Sequence, residues 1–300
     1  METAFNKITV ESLVSAGAHF GHLTRRWHPN FKPFIYAAKN GIHIIDVQQT
    51  LERLRRATEA LAKLVAGGGT VLFVGTKKQA KDVLQREADR CGMYYVVERW
   101  LGGTLTNFST IKRSIKRLQQ LEKDADTLYE SMTKKEILKM ERERIRLSDQ
   151  HRGIKDMKQL PNAIFVVDIN FELTAVLEAK RLEIPVFAIV DSNTDPTTVD
   201  YPIPANDDSL RAIQLITAAL ADGIIAARGG QSFEADQAPG TEAPAAETPP
   251  AAAPEAKAAA TPAEQAPEAK AGNAAETAAA PVVAEAVEAT DSPGEAEQPA

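Results

Sequence analysis

Cysteine is nearly absent: Cys91 stands alone among 300 residues, so no disulfide can close within the chain. That usage suits a reducing compartment. Cys91 ends a predicted helix beside Gly92 and reads as a buried structural thiol rather than a nucleophile. No run approaches the ~18 apolar residues of a membrane span. Residues 1–24 lack an apolar segment behind a positive start, so no secretory signal is visible. The expectation is a soluble, cytoplasmic protein. The glycine fingerprints of nucleotide enzymes are missing as well, since neither GxxxxGK[ST] nor GxGxxG occurs. No serine or cysteine has a recognisable base and orienter, and no carboxylate pair can be placed by spacing. Nothing here asks for catalysis, and neither a cofactor nor a metal is expected.

An excess of positive charge is also lacking, at a net −6 over the whole chain. The average hides two electrostatic objects. Residues 1–230 hold 33 Lys and Arg against 28 Asp and Glu, a balance of +5, whereas 231–300 hold 2 against 13, a balance of −11. The second segment is Ala, Pro, Glu and Thr with one aromatic, Phe233. It cannot bury enough apolar surface to offset chain entropy and is expected to be disordered. The domain reading is therefore a body over 1–230 and an acidic tail over 231–300.

Within the body, apolar runs at 41–47, 70–75, 93–97, 163–167, 186–190 and 201–204 read as strands. Helical periodicity appears at 9–17, 47–65, 77–91, 171–182 and 208–227. Alternating apolar strands and helices predict an α/β fold with a mostly parallel sheet covered on both faces. Two further helical stretches fill 109–151, broken near Ser131-Met132-Thr133. Their stripes, Ile111, Ile115, Leu118 and Leu128, then Ile137, Leu138, Ile145 and Leu147, are narrow and suit a pair packed antiparallel. This is the inserted helical hairpin, about residues 105–157, with arms of roughly 30 Å.

Four groups of residues carry the chemistry. The first lies in 18–33, where two prolines argue against regular structure and Arg25, Arg26, Trp27, His28 and Lys32 crowd together, with Lys39 just beyond. Guanidinium and aromatic planes stack on unpaired bases while cations meet phosphates, so the pattern suits RNA. His19, His22 and His28 could instead ligate a metal or pack as ordinary loop histidines. The second is Gly75-Thr76-Lys77-Lys78, a turn at a predicted helix start where free N–H groups and two lysines could hold a phosphate or simply face solvent. The third is Arg99-Trp100-Leu101-Gly102-Gly103-Thr104-Leu105-Thr106-Asn107-Phe108, the joint from which the hairpin leaves; its bland alternative is a tight turn with Trp100 in the core. The fourth is the basic quartet Lys112, Arg113, Lys116 and Arg117 at the hairpin base. Separately, Asp191, Asp195, Asp207 and Asp208 could gather at one edge and hold a divalent ion, though capping and turn formation explain them at lower cost.

Assembled in order, these stretches resemble the bacterial small-subunit ribosomal protein S-two family. The resemblance rests on Ala18-His19-Phe20-Gly21-His22 through Arg25-Arg26-Trp27, on Asn40-Gly41-Ile42-His43-Ile44-Ile45-Asp46 and on the joint. It continues in Pro161 with Phe165-Val166-Val167-Asp168, in Ile184-Pro185-Val186 through Asp191 and Asp195-Pro196, and in Asp200-Tyr201-Pro202-Ile203-Pro204 followed by Asn206-Asp207-Asp208. It spans about residues 5–230 and implies a flavodoxin-like three-layer body with a protruding helical, coiled-coil hairpin. It also implies a non-catalytic role in the small ribosomal subunit. The partners it implies are small-subunit ribosomal RNA and neighbouring ribosomal proteins, including the mRNA-binding protein S-one. The acidic tail is no part of the family pattern.

Overall fold

The structure is a computed structural model describing residues 8–127 and 133–229; the break at 131–132 and the acidic segment 231–300 lie outside the described residues. Five strands, β4 (Val71–Val74), β5 (Tyr94–Val96), β6 (Ala163–Val167), β7 (Val186–Val190) and β8 (Tyr201–Pro204), form a parallel sheet in the order β5-β4-β6-β7-β8. Register runs unbroken through its centre, with Phe73 opposite Phe165 and Phe165 opposite Phe187. Counting only these strands, the order is 2-1-3-4-5, the flavodoxin-like arrangement, with its switch point between β4 and β6.

Period-two alternation assigns the two faces. Val71, Phe73, Phe165, Val167, Phe187 and Ile189 turn one way, under the helices α2 (Val47–Ala66), α3 (Lys81–Cys91) and α7 (Leu210–Ala227). Leu72, Val74, Ile164, Val166, Ala188 and Val190 turn the other way, under α6 (Leu173–Arg181), Trp100, Leu105 and the start of α4 (Phe108–Thr127). Burial on both faces explains why these strands read as continuous apolar runs. By length and composition α7 could cross a membrane, but Ile213, Ile216, Leu220 and Ile224 are buried in the core. Cys91 is fully buried and burial pushes its thiol up to about 12, as a structural cysteine requires.

The contact between α2 and α7 is close enough to test. A Cβ on Gly223 would lie 2.1 Å from the Thr58 methyl, and Thr58 is 2 % exposed with its hydroxyl bonded to the Leu54 carbonyl. Alanine would gain about 1 kcal/mol in helix propensity. Overpacking against a locked, β-branched neighbour costs about 1–3 kcal/mol. Gly223→Ala should therefore lower the thermal midpoint, read by circular dichroism; a raised midpoint would mean that the two helices part without cost.

Residues 18–39 are more regular than expected, and they join the expected strand at 42–45. They form a three-stranded antiparallel sheet, β1 (Phe20–Leu23), β3 (Ile42–Ile45) and β2 (Ile35–Lys39), in the order β1-β3-β2. Two 3-10 turns, Thr24–Arg26 and Pro29–Phe34, bridge β1 to β2. Proline at the first position of the second turn fits its fixed φ, so two prolines do not exclude order here. The predicted turn before β3 holds: Asn40 and Gly41 take φ of 54° and 75°, the left-handed pair that a two-residue hairpin needs. Helix α1 (Val10–Ser15) precedes this sheet, capped by Thr9.

Helices α4 and α5 (Lys134–His151) run side by side in opposite directions. Leu118, Leu121 and Leu147 are buried between them, Arg117 Nε meets Glu143 Oε1 at 3.3 Å, and Ser114 Oγ lies 2.8 Å from His151 Nε2. Burial holds the pKa of His151 below the usual histidine range.

Candidate nucleic-acid interface

The C-terminal ends of the parallel strands share one side of the sheet, where ligands of open α/β folds gather. The basic loop is fastened there. The His28 N–H donates to the Ser192 carbonyl at 2.7 Å, the His22 N–H to Ser192 Oγ at 2.8 Å, and the Asn30 amide to Asp195 Oδ2 at 3.1 Å. A Cβ on Gly21 would stand 2.8 Å from Ser192 Oγ, so this approach needs glycine. Phe31 is fully buried beneath the loop. Outward, the anchored loop presents Arg25, Arg26, Lys32 and Trp27, all exposed. Trp27 also rests on the His43 ring, centroids 5.3 Å apart. His28 is half-buried, with Nδ1 accepting from the Asn30 N–H at 3.3 Å, so it serves chiefly as a cap. Lys39 is exposed at the end of β2, together with Tyr36 at 78 % exposure. Tyr36 escapes sequence reasoning because Ile35-Tyr36-Ala37-Ala38 alternates too weakly to mark an exposed face.

The joint is built by one carboxylate. Glu178, on α6, accepts from the Trp100 indole (3.1 Å), the N–H groups of Gly103 (2.7 Å), Leu105 (2.9 Å) and Thr106 (3.1 Å), and the Thr106 hydroxyl (3.2 Å). Burial alone would raise its pKa, but these donors outweigh burial and lower it. Gly103 sits at φ 88°, as the glycine pair predicts. Two candidate contacts are thereby corrected. Trp100 is 9 % exposed with its N–H committed to Glu178, and Thr104 is 2 % exposed with its hydroxyl on the Leu101 carbonyl. Both are packing residues, the bland alternative for this stretch. Arg99 and Asn107 remain exposed, and Asn107 Oδ1 accepts from the Ser109 and Thr110 hydroxyls at the start of α4.

At the hairpin base the quartet divides. Lys112 turns to the Lys158 carbonyl and lies 4.9 Å from the Phe108 ring, and Arg117 is paired with Glu143. Arg113 and Lys116 are exposed, and among the described residues neither pairs with a carboxylate.

Lys77 is the third correction. Its helix begins four residues later than predicted, and its ammonium turns inward to Asp208 Oδ1 (2.6 Å), Asp207 Oδ1 (2.8 Å) and Asp168 Oδ2 (3.3 Å). Burial would depress its pKa, yet the bonds to Asp207 and Asp208 raise it. Its ammonium is committed to these internal contacts, whereas Lys78 is exposed. His22 completes the cluster, Nδ1 at 3.0 Å from Asp191 Oδ2 and Nε2 at 3.5 Å from Asp208 Oδ2, and its contact with Asp191 raises its pKa against burial. Burial first, then the charges of Asp168 and Asp191, push Asp207 up to about 7 despite Lys77. Asp195 stands apart as the cap of the 3-10 turn Pro196–Thr198. Glu178 and Glu172 bear no local mark in the sequence, since the groups they accept from lie many residues away.

The family model described as Ribosomal protein S2 matches residues 13–227. A curated relative, the Small ribosomal subunit protein uS2 of Acidobacterium capsulatum, is 50 % identical over 254 residues, covering 80 % of this chain and 84 % of the relative.

Proposed function

The chain belongs to the ribosomal protein S2 family, and from that premise we propose that it is a structural, non-catalytic constituent of the cytoplasmic small ribosomal subunit. It binds small-subunit ribosomal RNA through cations held out from an inert scaffold. The observation that carries this reading is a division among the basic residues. Arg25, Arg26, Lys32, Lys39, Lys78, Arg99, Arg113 and Lys116 are exposed, and among the described residues none of them pairs with a carboxylate, whereas Lys77 and Arg117 are spent internally. Unpaired cations on an anchored surface bind phosphate without first breaking an internal salt bridge. Trp27 and Tyr36 offer planes for unpaired bases, and His28 and Asn107 hold their loops in place.

In this reading α4 and α5 form an antiparallel coiled-coil arm that adds Arg113 and Lys116 to the RNA surface. Neighbouring small-subunit proteins are partners, and help in docking the mRNA-binding protein S-one follows from the family resemblance. The acidic segment 231–300 is repelled by RNA and takes no part in holding it. Sedimentation of the tagged full chain in lysate at low and moderate salt tests the proposal. The chain should co-migrate with small subunits, and deleting 231–300 should leave that incorporation nearly unchanged. A free monomer carrying a bound nucleotide, or a small protein complex without RNA, overturns it.

A further inference from the structure

The imidazole of His43 is buried where packing alone does not account for it. His43 stands on β3 at 9 % exposure, and both of its ring nitrogens are buried without a hydrogen-bond partner. Among the described histidines no other leaves both nitrogens in that state. A neutral imidazole carries one donor and one acceptor, and sealing both away unpaired is destabilising. A phenylalanine would fill the same space without that penalty.

The group laid against the ring is unfastened. Trp27 touches it with centroids 5.3 Å apart and planes tilted by 49°, and is itself 36 % exposed. Among the described residues no hydrogen bond holds its indole. Its backbone is extended, at φ −83° and ψ 159°, just past the Thr24–Arg26 turn that carries Arg25 and Arg26. Across the β2–β3 ladder His43 is opposite the small, exposed Ala38, and the exposed Lys39 follows it. A sealed donor and acceptor thus lie beside a loose aromatic plate, with exposed cations in the adjoining segments.

That combination selects its ligand. A backbone phosphate only accepts, and would leave the acceptor nitrogen of the imidazole unpaired; an apolar side chain would leave both nitrogens so. A nucleobase offers a flat face to the indole and both donors and acceptors along its edge, and the ribose 2′-hydroxyl donates and accepts. We propose that His43 and Trp27 form a pocket for one unpaired ribonucleotide. Trp27 turns outward, the base stacks on its indole, the base edge bonds one nitrogen of His43, and the 2′-hydroxyl serves the other. The pocket rests on the RNA-binding reading and adds to it a residue that meets a base, beside cations that meet phosphate.

Reconstitution of depleted small subunits with the full chain, followed by base-specific chemical modification of the ribosomal RNA, tests it. Wild type should protect one unpaired base on its Watson–Crick edge. His43→Phe and Trp27→Ala should each leave that base reactive and weaken incorporation about tenfold. The salt slope should stay unchanged, since no phosphate contact is lost. His43→Phe should also keep or raise the thermal midpoint of the free chain, because it removes two unpaired polar atoms. An identical protection pattern in wild type and both variants, or a lower midpoint with unchanged incorporation, assigns His43 to packing and overturns the pocket alone. Weaker incorporation with that base still protected assigns the pair to a protein neighbour and overturns it too. Should His43→Phe fail to fold, Trp27→Ala, at the surface, decides by the same reading. Wild type that joins no subunit sinks the RNA reading itself, and the pocket with it.

Discussion

Replacing Glu178 with alanine should cost about 3 kcal/mol and unseat the loop from which α4 departs. Five donors converge on this carboxylate, and two of them, the Trp100 indole and the Leu105 N–H, belong to buried residues that water cannot easily serve. Each donor orphaned by truncation costs about 1–3 kcal/mol; those of Gly103 and Thr106, nearer the surface, recover part of the loss from water. Glu178→Gln keeps the shape but points an amide at groups that only donate, and should cost less than alanine. Urea denaturation reads the difference as a lower midpoint with an unchanged slope. A variant within about 0.5 kcal/mol of wild type, the ordinary range for a surface substitution, would show that packing alone seats the joint.

The same carboxylate sets an acid limit. Its folded pKa lies below its unfolded value, because the donors that hold the anion outweigh the burial that opposes it. A depressed pKa contributes stability that is fully present above the unfolded value, about 4.3 for glutamate, and is lost as pH falls through the folded value. The advantage of wild type over Glu178→Gln should thus be complete at about pH 7 and shrink below about pH 4. An advantage that persists unchanged at lower pH would assign it to shape rather than charge.

Residues whose role depends on near neighbours are legible in the chain alone; those that answer to distant ones are not. The strands Ala163–Val167 and Val186–Val190 stand where their apolar runs place them, because burial on both faces leaves a continuous signature that needs no partner to be read. The Asn40-Gly41 turn is equally local. By contrast, β1 and β2 carry few of the alternations that mark a strand, and Pro29 and Pro33 obscure the 3-10 turns between them. The site divides the same way. Its basic and aromatic character is written in composition, but the chain does not say which cations are free. Lys77 and Lys78 are adjacent and alike in sequence; only the fold brings Asp168, Asp207 and Asp208 to one of them. Trp100 reads as a stacking group until Glu178, from another helix, claims its N–H.

Arg25 and Arg26 offer the sharpest test of the RNA surface, because losing them should disturb binding and little else. Their 3-10 turn is held at both ends by backbone bonds, Thr24 N–H to the Gly41 carbonyl at 2.9 Å and His28 N–H to the Ser192 carbonyl at 2.7 Å, while the buried Phe31 pins the second turn. Neither guanidinium takes part in that anchoring, so Arg25→Ala with Arg26→Ala should leave the thermal midpoint of the isolated protein near wild type. Incorporation into subunits depleted of this protein should weaken, on the order of tenfold for each arginine, if each meets a phosphate. Salt dependence separates that cause from a merely altered loop. Each lost phosphate contact lowers the slope of log affinity against log salt by about 0.7–0.9, so the double variant should be shallower by about 1.5. Loss of affinity with an unchanged slope would mean that the arginines shape the loop and do not neutralise phosphate. Incorporation equal to wild type at elevated salt would remove the loop from the interface and leave Arg99, Arg113 and Lys116 to carry it. The control lies in the same molecule, since Lys77 is already neutralised by three aspartates and its replacement should leave the salt slope where it was.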